Sequence, residues 1–185
     1  MNKIILASKS PRRKQIMDTL NIPYEIIVAD IDEKINYDND LRKEIENLSF
    51  LKALKVFNDH KDAIVIGADT IVVCNNEVLG KPKDEEDAKR MLNMLQGNTH
   101  HVITGVTILS SKASESFSIV SKVKFNSMDE KEVDEYIKTK EPMDKAGSYA
   151  IQGIGSKFIN SIDGDFYSIM GLPIGELYKR LKNYL

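Results

Sequence analysis

The sequence predicts an α/β fold whose central sheet is mixed rather than purely parallel. Short β-branched apolar runs alternate with segments of helical periodicity along the 185 residues, which favours helices packed on a sheet. Two tight-turn signals, Asn75-Asn76 and Asp163-Gly164, indicate hairpins and therefore antiparallel neighbours as well. With 42% apolar residues, 29% charged residues and no linker-like stretch, we expect one domain over residues 1–185.

The first part of the chain is predicted to run strand, helix, strand, helix. Residues 4–7 form a short apolar run, and Ser10 and Pro11 then supply the N-cap and first-turn residues of a helix. Residues 24–28 favour a second strand, and residues 41–57 a longer helix. Helical spacing assigns its inward face to Ile45, Leu48, Leu51 and Leu54.

Apolar and β-branched runs predict strands through the rest of the chain. These runs are residues 63–66, 71–74, 77–79, 102–109, 117–125, 157–162 and 166–170. Acidic residues 84–87 begin another helix, which Gly97 ends. Ser127 and Glu130 have the spacing of a capping box for the next helix, and Pro173 begins a terminal one.

Composition excludes several classes of protein. The net charge is −2, so no broad basic surface is available to hold polymeric nucleic acid by counterion release. Cys74 is the only cysteine, which rules out an intramolecular disulfide and a Cys-x-x-Cys metal motif. No apolar run has the length of a signal-peptide core or a membrane span. We therefore expect a cytoplasmic protein with no membrane partner.

Residues 8–13 place two arginines in the first turn of a predicted helix. A helix N-terminus is already partly positive, so it is an unfavourable place for Arg12 and Arg13 unless an anion binds there. The hydroxyl groups of Ser8 and Ser10 lie in the same segment. Free backbone amides, hydroxyl groups and guanidinium groups together suit a phosphate chain. Pairing of both arginines with local surface carboxylates explains the pattern equally well.

Asp69 lies in a polar break, residues 67–70, between two apolar strand runs. A carboxylate there is costly unless it is hydrogen-bonded, paired or bound to a metal ion. A structural acceptor and a catalytic group are both consistent with this position.

Four further residues have functional groups whose role the residue pattern alone does not decide. Lys81 follows Gly80 at the end of a predicted hairpin, and Gln152 has a carboxamide that can match both groups on one edge of uracil or thymine. Glu33 lies in a charged loop, and Lys52 on a helix with other lysines. A solvated lysine and a loop amide that binds its own backbone remain the alternatives for Lys81 and Gln152.

Several well-known catalytic motifs are missing from the sequence. There is no Gly-x-x-x-x-Gly-Lys-[Ser/Thr] motif, and Phe158 stands where the dinucleotide fingerprint at residues 153–158 needs glycine or alanine. The three histidines lack His-Glu-x-x-His spacing, and no Gly-x-Ser-x-Gly motif occurs. These absences argue against P-loop, Rossmann, zinc-protease and serine-hydrolase sites.

Taken together, five separated segments resemble the Maf family of nucleoside triphosphate pyrophosphatases in content, order and spacing. They are LASKSPRR at 6–13, GADT at 67–70, LGKP at 79–82, EPMDKAG at 141–147 and IQG at 151–153. The resemblance implies an elongated two-lobed mixed α/β fold like that of inosine triphosphate pyrophosphatases, with a cleft between the lobes. It also implies a homodimer and a divalent metal cation, Mg²⁺ or Mn²⁺.

The same resemblance implies roles for individual residues. Asp69 falls on the family's proton acceptor and, with Glu33, on its metal ligands. Substrate contacts fall on Ser8, Arg12, Arg13, Lys52, Thr70, Lys81 and Gln152. Arg12, Thr70 and Gln152 match the branch that acts on dTTP and UTP. Alternatives are a 7-methylguanosine triphosphate pyrophosphatase and a non-catalytic nucleotide-binding regulator of septum formation.

Overall fold

The computed structural model describes residues 3–36 and 39–185, and within them it has seven strands and six α-helices. The strands are β1 (Lys3–Leu6), β2 (Glu25–Ile26), β3 (Ala63–Cys74), β4 (Glu77–Leu79), β5 (Thr99–Leu109), β6 (Ser114–Phe125) and β7 (Ile159–Asp163). The helices are α1 (Pro11–Asp18), α2 (Leu41–Phe57), α3 (Glu85–Leu95), α4 (Glu130–Lys138), α5 (Phe166–Met170) and α6 (Ile174–Leu181). Three short 3-10 turns lie at Glu141–Asp144, Ala146–Ser148 and Ile154–Phe158.

The strands form one mixed sheet, which confirms the predicted fold class. Their order is β2-β1-β3-β5-β6-β7, and β4 pairs with β3. Strand β1 is parallel to both β2 and β3, with Ile5 opposite Val65. Strand β4 is antiparallel to β3, and β7 is antiparallel to β6. The Asn75-Asn76 hairpin is confirmed, and both residues have the positive φ that such a turn requires.

The chain divides into two compact units. The first contains residues 1–69, 104–119 and 171–185, and the second contains residues 70–103 and 120–170. A core of the first unit is formed by Ile5, Ala7, Ala53, Val56, Phe57, Ala63, Val65 and Leu109. In the second unit the rings of His100, Phe125 and Tyr149 pack edge to face. Burial lowers the pKa of His100 to about 4, so this histidine is a neutral core residue at neutral pH.

Helix α2 packs directly on the backbone of two neighbouring strands, at residues of these strands that belong to the first unit. A Cβ atom at Gly67 of β3 would lie 2.2 Å from the carbonyl oxygen of Ser49, and one at Gly105 of β5 would lie 2.6 Å from that of Ile45. Neither separation is possible for a real side chain, so only glycine permits this approach. Ile45 and Ser49 are one helical turn apart, and α2 therefore touches the sheet through successive turns.

Three sequence predictions about individual strands differ from the structure in extent or in type. The residues 63–74 form one continuous strand, and the expected polar break lies inside it. Residues 24–28 contribute only the two-residue strand β2. Residues 166–170 form helix α5 instead of the second strand of an Asp163-Gly164 hairpin. The carboxylate of Asp165 accepts a hydrogen bond from the amide of Ser168 (2.7 Å), as a helix N-cap does, and this favours the helix.

Two predictions about helices also need correction. The capping box of α4 uses Asp129 and Glu132 rather than Ser127 and Glu130, because a second motif with the same spacing begins two residues later. On α2, Leu51 is 40% exposed and does not face the core. The bounds of α2 and the N-cap of α1 at Ser10 are confirmed. No helix among the described residues is long and apolar enough to cross a membrane.

Candidate functional site

The first group of candidate residues lies where β1 leads into α1. The side chain of Ser10 caps α1 by accepting a hydrogen bond from the amide of Arg13 (3.4 Å), and the Ser8 hydroxyl accepts one from the amide of Ser10 (3.2 Å). No acidic residue occupies the first turn of this helix. The helix therefore begins with a concentration of positive charge that its own first turn does not offset.

The guanidinium group of Arg13 is held from two sides. Its Nη1 donates to Ser8 Oγ (3.3 Å), and its Nε donates to the carbonyl oxygen of Gly171 (2.7 Å). The pKa of Arg13 is lowered, mainly by burial, with nearby Asp69 opposing the shift and the charge of Arg12 adding to it. Arginine stays protonated under any physiological condition. A fixed cation thus faces the same region as Asp69.

Lys52 joins two carboxylates in the first unit. Its Nζ lies 2.5 Å from Asp69 Oδ1 and 2.7 Å from Glu33 Oε1. The side chains of Lys52 and Asp69 are 9% and 12% exposed, whereas that of Glu33 is 56% exposed. The ammonium group is therefore buried beside Asp69, and its second partner, Glu33, is the exposed member of the cluster.

Gly67 explains why a lysine of α2 can reach Asp69. Alternate residues of a strand share a face, so Gly67 and Asp69 both point toward α2. Because the Gly67 backbone touches α2 at Ser49, the Lys52 side chain one turn further along is close enough to bond the Asp69 carboxylate. The residue pattern alone does not mark Gly67 as part of the site.

The helical spacing of α2 contains a signal for Lys52 that lies outside the sequence predictions above. The buried residues of this helix are Ile45, Leu48, Ser49, Lys52, Ala53, Val56 and Phe57, which follow the spacing of one helix face. Lys52 lies within that buried stripe, unlike the other lysines of the helix. A lysine on a core-facing stripe needs a carboxylate partner, and this points to a buried acid on the sheet.

The remaining candidate residues belong to the second unit. Thr70 follows Asp69 in β3, and successive strand side chains point to opposite faces of the sheet. Lys81 is exposed just after β4, and the preceding carbonyl of Gly80 accepts a hydrogen bond from the amide of Gly147 (3.1 Å). Gln152 is exposed on the loop before the 3-10 turn Ile154–Phe158.

The structure thus gathers Ser8, Arg12, Arg13, Glu33, Lys52 and Asp69 in the first unit. The described residues contain no group of three or more histidine, cysteine, aspartate or glutamate side chains that could hold a metal ion. Glu33 and Asp69 nevertheless fit a hard divalent cation, because Mg²⁺ commonly takes one or two carboxylates and completes its shell with water and substrate phosphates. Their oxygens already converge on one cation, the Lys52 ammonium.

Comparisons with known proteins identify relatives of the chain over nearly its whole length. The profile of the family described as "Maf-like protein" matches residues 3–184. The chain is 46% identical over 184 residues to a dTTP/UTP pyrophosphatase of Bacillus cytotoxicus, and 46% identical to one of Bacillus cereus. Each alignment covers 100% of this chain and 96% of the relative.

One solved structure shares the fold at low sequence identity. The Staphylococcus aureus Ham1 protein superposes with a TM-score of 0.54 at 14% identity, over 99% of this chain and 100% of that one. At this level of identity the match concerns the fold alone.

Proposed function

Since the chain belongs to the Maf family, we propose that it is a nucleoside triphosphate pyrophosphatase that hydrolyses dTTP and UTP. The products are the nucleoside monophosphate and pyrophosphate. The observation that carries this proposal is the buried contact between Lys52 and Asp69, with Arg13 and Glu33 beside it. Such a cluster offers cations for a polyphosphate and a carboxylate for a water molecule in one place.

In the proposed reaction, Asp69 orients a water molecule and accepts its proton. The water oxygen bonds the α-phosphorus, and the bond from that phosphorus to the oxygen bridging to the β-phosphate breaks. A carboxylate has two oxygens, so Asp69 can bond Lys52 through Oδ1 and receive the proton on the other. The proton passes from Asp69 to solvent as the products leave, and Lys52 remains bonded to Oδ1.

Positive side chains bind the triphosphate and reduce the charge on the departing pyrophosphate. The Arg13 guanidinium is already oriented by Ser8 and Gly171, so little side-chain entropy is lost when phosphate binds. Arg12 and Lys81 supply further charge. The start of α1 adds backbone amides that favour an anion.

Nucleotide pyrophosphatases of this family generally depend on a divalent metal ion. We propose Mg²⁺ or Mn²⁺, held by Glu33 and Asp69. The bound ion would neutralise phosphate oxygens and make pyrophosphate a better leaving group.

Base selection is proposed to lie with Gln152 and Thr70 of the second unit. The Gln152 carboxamide can donate to the O4 atom of uracil or thymine and accept from N3–H. A site built on such hydrogen bonds rejects analogues that cannot make them. Gln152→Ala is therefore expected to reduce the preference for dTTP over dCTP while leaving the phosphate chemistry in place.

A nucleotide panel tests the proposal directly. The protein is incubated with dTTP, UTP, dCTP, ITP and 7-methylguanosine triphosphate in the presence of Mg²⁺ or Mn²⁺. Phosphate is measured with and without added inorganic pyrophosphatase, because only pyrophosphate release gives a signal that depends on that enzyme. We expect the signal with dTTP and UTP to exceed that with the other nucleotides.

Each other result of the panel has a defined meaning. Preference for 7-methylguanosine triphosphate or ITP would assign a different base pocket and contradict the proposed specificity. Nucleotide binding without release of pyrophosphate would instead favour a regulatory protein. Phosphate release without added pyrophosphatase would contradict attack at the α-phosphorus.

A further inference from the structure

Glu141 forms the centre of a hydrogen-bond network in the second unit that the proposed reaction does not use. Its Oε1 accepts from the amide of Ile154 (2.9 Å), and its Oε2 accepts from the amide of Gly155 (2.9 Å) and from the Tyr136 hydroxyl (2.7 Å). The Tyr136 hydroxyl in turn accepts from the amide of Ala150 (3.2 Å). One carboxylate thereby fixes three backbone amides, two directly and one through the tyrosine.

These three amides lie on both sides of Gln152. Ala150 is two residues before it, and Ile154 and Gly155 are two and three residues after it. The side chain of Gln152 itself is exposed, while the tyrosine that anchors its loop is 1% exposed. The loop therefore has a backbone held by hydrogen bonds on each side of Gln152, and the Gln152 side chain between them is exposed.

Two glycines of the loop are explained by the same network. A Cβ atom at Gly153 would lie 2.2 Å from Glu141 Oε1, and one at Gly155 would lie 2.4 Å from the Tyr136 hydroxyl oxygen. The carboxylate and the phenol therefore occupy the space that side chains at these positions would need. The loop backbone therefore packs directly against Glu141 and Tyr136 at these two glycines.

A fixed loop matters because a glutamine side chain can present its amide in two ways. With its oxygen and nitrogen exchanged, the same carboxamide matches cytosine instead of uracil or thymine. Gln152 therefore selects one base only if its position and orientation are set by its surroundings. Without them, the rotated amide would accept cytosine at little cost.

We propose that Glu141, with Tyr136, is a positioning residue for base selection, which it exerts by holding the loop that carries Gln152. This inference rests on the proposed function, since it concerns the specificity of that same reaction. Glu141 touches no reacting atom in this role. Its loss is expected to change which nucleotide is hydrolysed rather than whether hydrolysis occurs.

The test compares Glu141→Gln with Glu135→Gln. The carboxamide has one oxygen, so it must direct an N–H group at one of the two loop amides, while Glu135 loses the same charge on an exposed part of α4 next to Tyr136. We expect Glu141→Gln to reduce the dTTP-to-dCTP ratio of kcat/KM by about tenfold, mainly through a higher KM for dTTP. We expect Glu135→Gln to leave the ratio unchanged.

A double-mutant cycle separates positioning from general weakening of the fold. If Glu141 acts through Gln152, then Glu141→Gln should not change the ratio further once Gln152→Ala is present. Tyr136→Phe keeps the ring that packs on Phe158 and removes only the hydroxyl, so it should shift the ratio in the same direction. Hydrogen exchange at Ile154 and Gly155 should accelerate in Glu141→Gln and not in Glu135→Gln.

Three results would overturn the inference. An unchanged ratio in a folded Glu141→Gln protein is one, and an additive effect on top of Gln152→Ala is another. The third is unaltered exchange at the two loop amides. Failure of the wild-type protein to release pyrophosphate from any nucleotide would contradict the proposed function itself, and this is distinguishable because it appears without any substitution.

Discussion

Replacing Asp69 by asparagine should separate the catalytic role of its carboxylate from its structural role. Removing one member of a buried ion pair costs about 3–5 kcal/mol when the other charge is left unpaired. Here Glu33 remains 2.7 Å from the Lys52 ammonium, and the asparagine oxygen can still accept its hydrogen bond. We therefore expect Asp69→Asn to lower the free energy of unfolding by about 1–3 kcal/mol, and the protein to remain folded.

The effect of Asp69→Asn on activity should be much larger than the effect on stability. General-base assistance contributes about 10²–10⁴ in rate, so kcat for dTTP should fall by at least about 100-fold. Pyrophosphate release is measured with the coupled phosphate assay, and unfolding with urea. Asp62→Asn, an exposed change just before β3, is the matched control and should alter neither quantity.

The double variant Asp69→Leu/Lys52→Met makes the test stricter. It removes both buried charges, so its stability should return to within about 1 kcal/mol of the wild-type value, while its activity stays as low as that of Asp69→Asn or lower. If a folded Asp69→Asn protein kept kcat within about threefold of wild type, Asp69 would not be the base. If the double variant were less stable than Asp69→Asn, the loss of stability in Asp69→Asn would not come from the buried Lys52 charge.

Three further predictions concern packing, phosphate binding and acid stability. Gly67→Ala should force α2 away from β3. Urea unfolding should then show a free energy of unfolding lower by about 1–3 kcal/mol, and the coupled assay should show a lower kcat. Unchanged values would contradict the close packing. Arg13→Lys keeps the charge but loses the fixed fork, so KM for dTTP should rise by about tenfold or more, and an unchanged KM would place the phosphates elsewhere. Burial raises the pKa of Glu141, but hydrogen bonds from Tyr136 and the loop amides outweigh it and hold the pKa below 4.5. That stabilisation is present above pH 4.5 and is lost as the pH falls through the lower pKa that Glu141 has in the folded protein. Urea unfolding should therefore show a smaller loss of stability between neutral and acid pH in Glu141→Gln than in wild type.

Local signals in the sequence predicted those elements whose ends are defined by neighbouring residues. The cap at Ser10, the helix over 41–57 and the Asn75-Asn76 turn all depend on contacts within a few residues, and all three are confirmed. The same reasoning was wrong at Asp163-Gly164, where the turn signal was present but Asp165 caps a helix. A dipeptide cannot show which of two local hydrogen-bond patterns the following residues complete.

The site was less accessible to local reasoning because its contacts are distant in sequence. Lys52 and Asp69 are 17 residues apart and meet only because Gly67 lets the helix touch the strand. Residue patterns alone left Lys52 and Glu33 unassigned, and family resemblance supplied their roles. Those roles stay predictions, as does a homodimer. The structure shows the contacts of Lys52 with Glu33 and Asp69.

The close contact of α2 with Gly67 and Gly105 affects which amino-acid substitutions the first unit tolerates. Contact between backbones fixes the separation of helix and strands without using side-chain volume, the quantity that most core substitutions alter. Aliphatic residues around this contact can therefore be replaced by other aliphatic residues without changing the position of the Lys52 ammonium relative to the sheet. In a saturation mutagenesis experiment, the two glycines should be as intolerant as the charged residues, although neither has a functional group.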